Sequence, residues 1–98
     1  MQEPASDRRT VRVRLEGHVQ GVGFRYWTQL VATDLGLDGW VRNRRDGGVE
    51  AVFSGPAADV ALMLERCNAG PPSGRVDFVK VEEEAQLPRP GFDVYPTL

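Results

Sequence analysis

The sequence has little of what disulfides, zinc sites and membrane spans require. Cys67 is the only cysteine and His18 the only histidine among its 98 residues, which excludes an internal disulfide and a zinc site built from Cys and His ligands. No apolar run reaches the length of about 18 residues that a membrane-spanning helix needs. The first nine residues are polar, unlike a secretory signal. We therefore expect a cytoplasmic protein without a membrane partner.

An excess of positive charge is also absent. The net charge is −2 and the isoelectric point is near 5.3, so no overall field draws the chain to nucleic acid or to an anionic membrane. Any anionic ligand must be attracted by a local site. The length allows one hydrophobic core but not two, which predicts a single small domain, with a monomer as the default.

In the first third of the chain, apolar residues recur at two different spacings, one typical of a strand and one typical of a helix. Apolar Val11, Val13 and Leu15 alternate with charged residues, which predicts a strand over residues 10–16. Spacings of three and four then predict a helix over 24–35 that ends at Gly36. Its apolar face comprises Phe24, Trp27, Leu30, Val31 and Leu35. Residues 1–9 show no periodicity and are predicted to be a disordered tail.

The rest of the chain repeats this alternation of strands and helices. Strands are predicted over 37–44 and 49–53, and Asp46-Gly47 between them is a strong hairpin signal. Pro56 is placed in the first turn of a second helix that stops before Gly70, with an apolar face of Val60, Met63, Leu64 and Cys67. A fourth strand follows over 75–82, where adjacent Phe78 and Val79 indicate a bulge or burial on both faces. A short terminal strand is predicted near 92–95.

The resulting order, βαββαβ, defines an α+β fold. Because crossover connections are right-handed, this order predicts a ferredoxin-like α/β sandwich, with an antiparallel sheet and both helices on one face. This fold alone does not determine a function.

A glycine-rich loop links the first strand to the first helix. Gly17, Gly21 and Gly23 permit positive φ angles and close approach of a ligand. The unpaired amides and the positive dipole end of the helix create an anion site, to which Arg25 adds a planar, permanently charged fork of donors. The loop lacks the patterns of a Rossmann or Walker A motif. The alternative is an ordinary turn followed by a solvated arginine.

Two motifs together resemble one family. Val-Gln-Gly-Val-Gly-Phe-Arg over 19–25, followed by Tyr-Trp-Thr28, combines with Gly39-Trp-Val-Arg-Asn43 and Asp46-Gly-Gly-Val-Glu50. This combination closely resembles the acylphosphatases over residues 10–95, and we define 10–98 as an acylphosphatase-like domain. The resemblance implies a metal-independent hydrolase without cofactors. Its ligands are small acyl phosphates, which it cleaves to a carboxylate and inorganic phosphate, with phosphate also a competitive ligand.

The same resemblance implies which residues form the site. Arg25 and the loop amides hold the phosphoryl group, and Asn43 positions the attacking water. The implied phosphate-binding residues, mainly through main-chain N–H groups, are Val19, Gln20, Gly21, Val22, Gly23, Phe24 and Arg25. Elementary chemistry makes such a set sufficient, because phosphoryl transfer depends mostly on positioning and charge stabilisation. A carboxylate, whose conjugate acid has a pKa of roughly 4, leaves without a general acid.

Other readings of these residues stay open at this point. His18 could act as a nucleophile or base, although a solvated histidine is the simpler account. Anions could be steered toward the site by Arg42, Arg44 and Arg45, or these residues could simply lie on the solvent-exposed face of a strand. Tyr26 has no assigned role. The domain could also be a noncatalytic anion-binding or accessory module, or an RNA-binding module. The RNA-binding alternative is weak because the first strand carries no stacking aromatics.

Overall fold

The computed structural model describes residues 7–98. Its elements in chain order are β1 (Arg8–His18), α1 (Phe24–Asp34), β2 (Asp38–Asn43), β3 (Val49–Pro56), α2 (Ala57–Ala69), β4 (Arg75–Glu83) and β5 (Phe92–Val94). The predicted βαββαβ order and the short terminal strand are confirmed. β1 begins two residues before the predicted strand, so Arg8 and Arg9 belong to the sheet. The first six residues of the predicted tail lie outside the described residues.

The five strands form one sheet in the order β4-β1-β3-β2-β5. The first four are antiparallel neighbours, and β2 and β3 form the predicted hairpin. The expectation of a wholly antiparallel sheet was wrong at one edge, because β5 pairs parallel with β2, from Gly39 opposite Phe92 to Val41 opposite Val94. β4 runs antiparallel to β2 and ends at the end of the sheet where β2 begins. The chain leaves β4 at that end of the sheet and crosses to the opposite edge, so β5 starts beside the start of β2 and runs in the same direction.

The core lies between the two helices and one face of the sheet. Val11, Val13 and Leu15 of β1 are fully buried there, together with residues of β3 and both helices. Their charged neighbours along β1 are on the other face, as the alternation predicted. This arrangement confirms the α/β sandwich with both helices on one face of the sheet.

The buried face of α1 differs from the predicted one, because it excludes Leu30 and includes Thr28 and Ala32. Leu30 is 70% exposed, whereas Thr28 and Ala32 are buried beside Val31. Thr28 can be buried because its hydroxyl donates to the main-chain oxygen of Phe24 at 2.8 Å, one turn back in the helix. Trp27 packs against the core and lies 5.3 Å from the ring of Phe24, which confirms its predicted packing role.

A bulge interrupts β4 where it pairs with β1. Glu16 faces Phe78 but Gly17 faces Val76, so Asp77 is the extra residue, one position before the predicted irregularity. Phe78 is 54% exposed while Val79 packs against the core. The bulge places Val76 and Val79 on the core face, whereas Phe78 lies on the opposite, exposed face, so the strand is bulged and not buried on both faces.

The second helix begins one residue later than predicted. Pro56 is the last residue of β3 and the N-cap of α2, with a ψ of 138° that is not helical. Val60, Met63 and Cys67 are buried on the predicted face. Burial raises the pKa of the Cys67 thiol to about 12, so this cysteine is a core residue without thiolate character. Neither helix of residues 7–98 has the length and apolar content to cross a membrane.

Candidate active site

The loop between β1 and α1 has the left-handed backbone that its glycines predicted. Gly21 and Gly23 both have a φ of +76°, and Gly23 is the N-cap of α1. No atom outside the neighbouring residues lies within 4 Å of a Cβ built at either position. The need for glycine is therefore conformational, since other L-residues rarely adopt this φ.

Main-chain donors in this loop are free to bind a ligand. Within residues 7–98, the N–H groups of Val19 to Tyr26 donate to no main-chain or side-chain acceptor of the protein. The first paired amide is that of Trp27, which donates to the oxygen of Gly23 at 3.0 Å. Unpaired donors and the positive end of the helix dipole coincide at this helix terminus, and such a combination attracts anions.

One small cavity brings the predicted site residues together. It has a volume of about 110 Å³ and is lined by Val19, Gly21, Gly23, Phe24, Arg25, Tyr26 and Asn43. Arg25 at the start of α1 and Asn43 at the end of β2 therefore meet, although 18 positions separate them in the sequence. Gln20 and Val22 of the predicted set do not line this cavity.

Arg25 is held by the C-terminal segment, residues 95–98. Its Nη1 atom donates to the main-chain oxygen of Tyr95 at 3.0 Å. No carboxylate of the described residues pairs with this guanidinium, so its other N–H groups and its whole charge are available to an anion. A guanidinium that is half-buried and oriented by a carbonyl is prepared for two-point binding of phosphate oxygens.

The same segment also fixes the strand end that carries Asn43. The N–H of Leu98 donates to the main-chain oxygen of Asn43 at 3.1 Å, and the N–H of Tyr95 donates to that of Val41 at 2.8 Å. The Asn43 side-chain amide makes no hydrogen bond with other described residues, so it can bind a ligand or water. Sequence reasoning missed this segment because its contacts are made by main-chain atoms, which carry no residue signature.

Gln20 and Val22 support the loop from outside the cavity. The Gln20 Nε2 atom donates to the oxygens of Arg44 and Gly48 at 2.7 and 2.8 Å, which ties the loop to the β2–β3 hairpin. The Val22 oxygen accepts a hydrogen bond from the Ser73 hydroxyl at 3.1 Å. Gln20 was predicted as a main-chain donor, and sequence reasoning did not find this second role for its side chain.

The charged residues near the hairpin form a separate cluster on the uncovered face of the sheet. Glu50 receives hydrogen bonds from Arg12, Arg42 and Arg44. Burial raises the pKa of Glu50, but the hydrogen bonds from Arg12 and Arg42 outweigh it and hold the pKa below its ordinary value. Arg42 also lies 4.8 Å from the ring centre of Trp40. The single carboxylate of Glu50 offsets only part of the positive charge of Arg42 and Arg44, which reduces their field at the cavity without removing it.

The remaining charged candidates are exposed. His18 and Arg45 are both on the surface, and neither lines the cavity. Within residues 7–98, no three Asp, Glu, His or Cys side chains are arranged to hold a metal ion. The donors at this site are amides and a guanidinium, which are ligands for anions and not for cations.

The fold and the site together define a class of protein, an α+β sandwich with a glycine-rich loop of unpaired amides at the N-terminus of its first helix. Comparison with known families is more specific. The acylphosphatase family profile matches residues 11–94. An acylphosphatase of Rhodospirillum rubrum is 53% identical over 90 residues, which cover 92% of this chain and 99% of that protein. The chain therefore belongs to the acylphosphatase family of enzymes.

Solved structures agree with this assignment. The structure of an acylphosphatase from Coxiella burnetii superposes with a TM-score of 0.88 at 33% identity, covering 97% of this chain and 100% of that one. The crystal structure of acylphosphatase from Bacillus subtilis gives a TM-score of 0.83 at 37% identity, covering 88% of this chain and 97% of that one.

Proposed function

We propose that this chain hydrolyses the carboxyl–phosphate bond of small acyl phosphates to a carboxylate and inorganic phosphate. The loop amides and Arg25 hold the phosphoryl group, and Asn43 orients the attacking water. The observation that carries this proposal is the shared cavity, which is lined by residues with unpaired amides, by a guanidinium that has no carboxylate partner among residues 7–98, and by the Asn43 carboxamide. Membership of the acylphosphatase family supports the choice of substrate.

Binding of the phosphoryl group follows from the donors that the cavity offers. Charge in the transition state spreads over three equatorial oxygens, and donors fixed before the reaction stabilise that charge without reorganisation. The amides of Val19 to Arg25 supply neutral donors, and Arg25 supplies a charged, two-point donor. The carbonyl of Tyr95 restricts Arg25 to one orientation, which lowers the entropic cost of binding.

Hydrolysis then needs only a correctly placed water. The Asn43 amide oxygen can accept a hydrogen bond from the water and align its lone pair with the phosphorus atom. Asn43 is too weak a base to take the proton, which passes to a phosphoryl oxygen as the new P–O bond forms and the bond to the carboxylate oxygen breaks. The mixed anhydride bond tolerates this, because the carboxylate leaves as a stable anion at neutral pH. Gln20 contributes by holding the loop against the hairpin that carries Asn43.

Inorganic phosphate, as the product, should also bind as a competitive ligand. We further propose that the chain acts as a monomer in the cytoplasm, without a nucleic-acid or membrane partner. The charged edge strand β4, with Asp77, Lys80 and Glu82 exposed, supports the monomer because such side chains discourage edge-to-edge pairing.

Hydrolysis of benzoyl phosphate in EDTA tests the proposal. The purified protein should release benzoate and phosphate faster than buffer, and the Arg25→Gln variant prepared identically should not. This variant controls for contaminating phosphatases. Turnover no faster than buffer would overturn the proposal, and saturable phosphate binding without turnover would instead identify a noncatalytic anion-binding domain.

A further inference from the structure

Tyr26 differs from the other aromatic residues at the start of α1. Phe24 is 2% exposed and Trp27 packs against the core. The Tyr26 side chain, one residue after Arg25, is 67% exposed and yet lines the cavity that contains Arg25 and Asn43. It therefore lies at the mouth of the candidate active site and not in its interior.

No partner within the protein accounts for this ring. Among residues 7–98, Tyr26 takes part in no aromatic pair, no cation–π contact and no side-chain hydrogen bond. Leu30, four residues further along α1, is 70% exposed and lies on the same side of the helix. The two side chains form an apolar strip that leads from the cavity mouth along the helix surface.

The size of the cavity decides which part of a substrate meets this strip. At about 110 Å³, the cavity is well below the roughly 300 Å³ at which pockets begin to enclose drug-sized ligands. Its donors are those that phosphate oxygens require. A phosphoryl group therefore occupies the interior, and the acyl group must extend through the mouth, where Tyr26 stands.

We propose that Tyr26, extended by Leu30, is the specificity-determining contact for the acyl group and favours acyl phosphates with an aromatic or large apolar acyl group. This inference rests on the proposed hydrolysis at the same site. A flat acyl group can stack on the Tyr26 ring, whereas an acetyl group is too short to cover it. A contact far from the reacting atoms strengthens the binding of substrate and transition state equally. Its loss should therefore raise KM and leave kcat unchanged.

Paired kinetics with benzoyl phosphate and acetyl phosphate test the inference. In Tyr26→Ala, the ratio of kcat/KM for benzoyl phosphate to that for acetyl phosphate should fall by about two- to tenfold, the range expected for one aromatic contact. The fall should come from a higher KM for benzoyl phosphate. Tyr26→Phe, which keeps the ring, should retain the wild-type ratio. Leu87→Ala is the control for loss of an exposed apolar side chain, because Leu87 is 72% exposed and does not line this cavity.

Each outcome of this experiment has a distinct meaning. An unchanged ratio in Tyr26→Ala, with both substrates still hydrolysed, would overturn the inference but leave the proposed function intact. A wild-type protein that hydrolyses neither substrate would overturn the proposed function itself. If the ratio changes in Tyr26→Ala and changes equally in Tyr26→Phe, the inference is also contradicted, because the aromatic ring would then not be the cause.

Discussion

The Gln20 side chain offers a test of whether the loop must be anchored to the hairpin for the site to work. Its amide donates two hydrogen bonds, at 2.7 and 2.8 Å, to the main-chain oxygens of Arg44 and Gly48. Each of these oxygens also accepts a main-chain hydrogen bond, from Gly47 and Arg44 respectively. Neither oxygen is therefore left without a partner when Gln20 is removed.

The cost of Gln20→Ala follows from this arrangement. Two neutral hydrogen bonds contribute about 1 kcal/mol each, and no unsatisfied acceptor adds to the loss, so the free energy of unfolding should fall by about 1–2 kcal/mol. The loop donors also lose their fixed distance from Asn43. Because a misplacement of about 1 Å can reduce turnover by about a hundredfold, we expect kcat/KM for benzoyl phosphate to fall by at least about tenfold.

Gln29→Ala is a matched control for this variant. Gln29 also donates from Nε2 to a main-chain oxygen, that of Phe92, at 3.0 Å, but it anchors β5 to α1 and not the loop. Urea unfolding should show that both variants lose stability, whereas the steady-state assay should show lost activity for Gln20→Ala alone. Equal activities in the two variants would refute the anchoring role, as would a stable Gln20→Glu variant with wild-type kinetics.

Three further changes test other parts of the structure. Glu50→Gln should cost about 1–2 kcal/mol of unfolding free energy at pH 7. Because the folded-state pKa of Glu50 lies below the ordinary 4.5, this contribution is present above that pH and is lost as the pH falls through the folded-state pKa; urea melts from pH 3 to 7 should show the difference from wild type closing in acid. Removal of Leu98 deletes its two main-chain hydrogen bonds, with Asn43 at the end of β2 and with Arg45, and leaves the Tyr95 oxygen that accepts from Arg25 as a neutral carbonyl. Turnover should therefore fall by about tenfold with little change in phosphate inhibition, and equal loss of both would contradict this division. Gly39→Ala places a Cβ 1.8 Å from the oxygen of Val52 at a φ of +144°, so it should destabilise the fold by about 3 kcal/mol or more; an unfolding midpoint like that of wild type would show that β2 and β3 can separate.

Local signals in the sequence were enough to predict most of the fold. The alternation of Val11, Val13 and Leu15 requires one buried face, and Asp46-Gly47 favours a tight turn, so β1 and the β2–β3 hairpin follow from short-range rules. The glycines before Arg25 likewise indicated the left-handed loop. Each of these features depends on the residues within a few positions of it.

Features that depend on distant parts of the chain were not predictable in this way. The parallel pairing of β5 with β2 depends on where β4 ends relative to the opposite edge of the sheet. Leu30 fitted the helical spacing, but whether it is buried depends on what covers α1. The anchoring of Arg25 by the Tyr95 oxygen uses a main-chain atom, which every residue possesses.

The roles of Arg25 and Asn43 can be separated by measuring phosphate binding and turnover in the same two variants. Isothermal titration with inorganic phosphate should show an affinity reduced by about 10- to 100-fold in Arg25→Gln, the loss expected for a charge-assisted hydrogen bond, and little change in Asn43→Ala. Turnover of benzoyl phosphate should be lost in both. The reverse pattern, with phosphate bound normally by Arg25→Gln and lost in Asn43→Ala, would contradict a site in which the guanidinium holds the phosphoryl group and the amide directs the water.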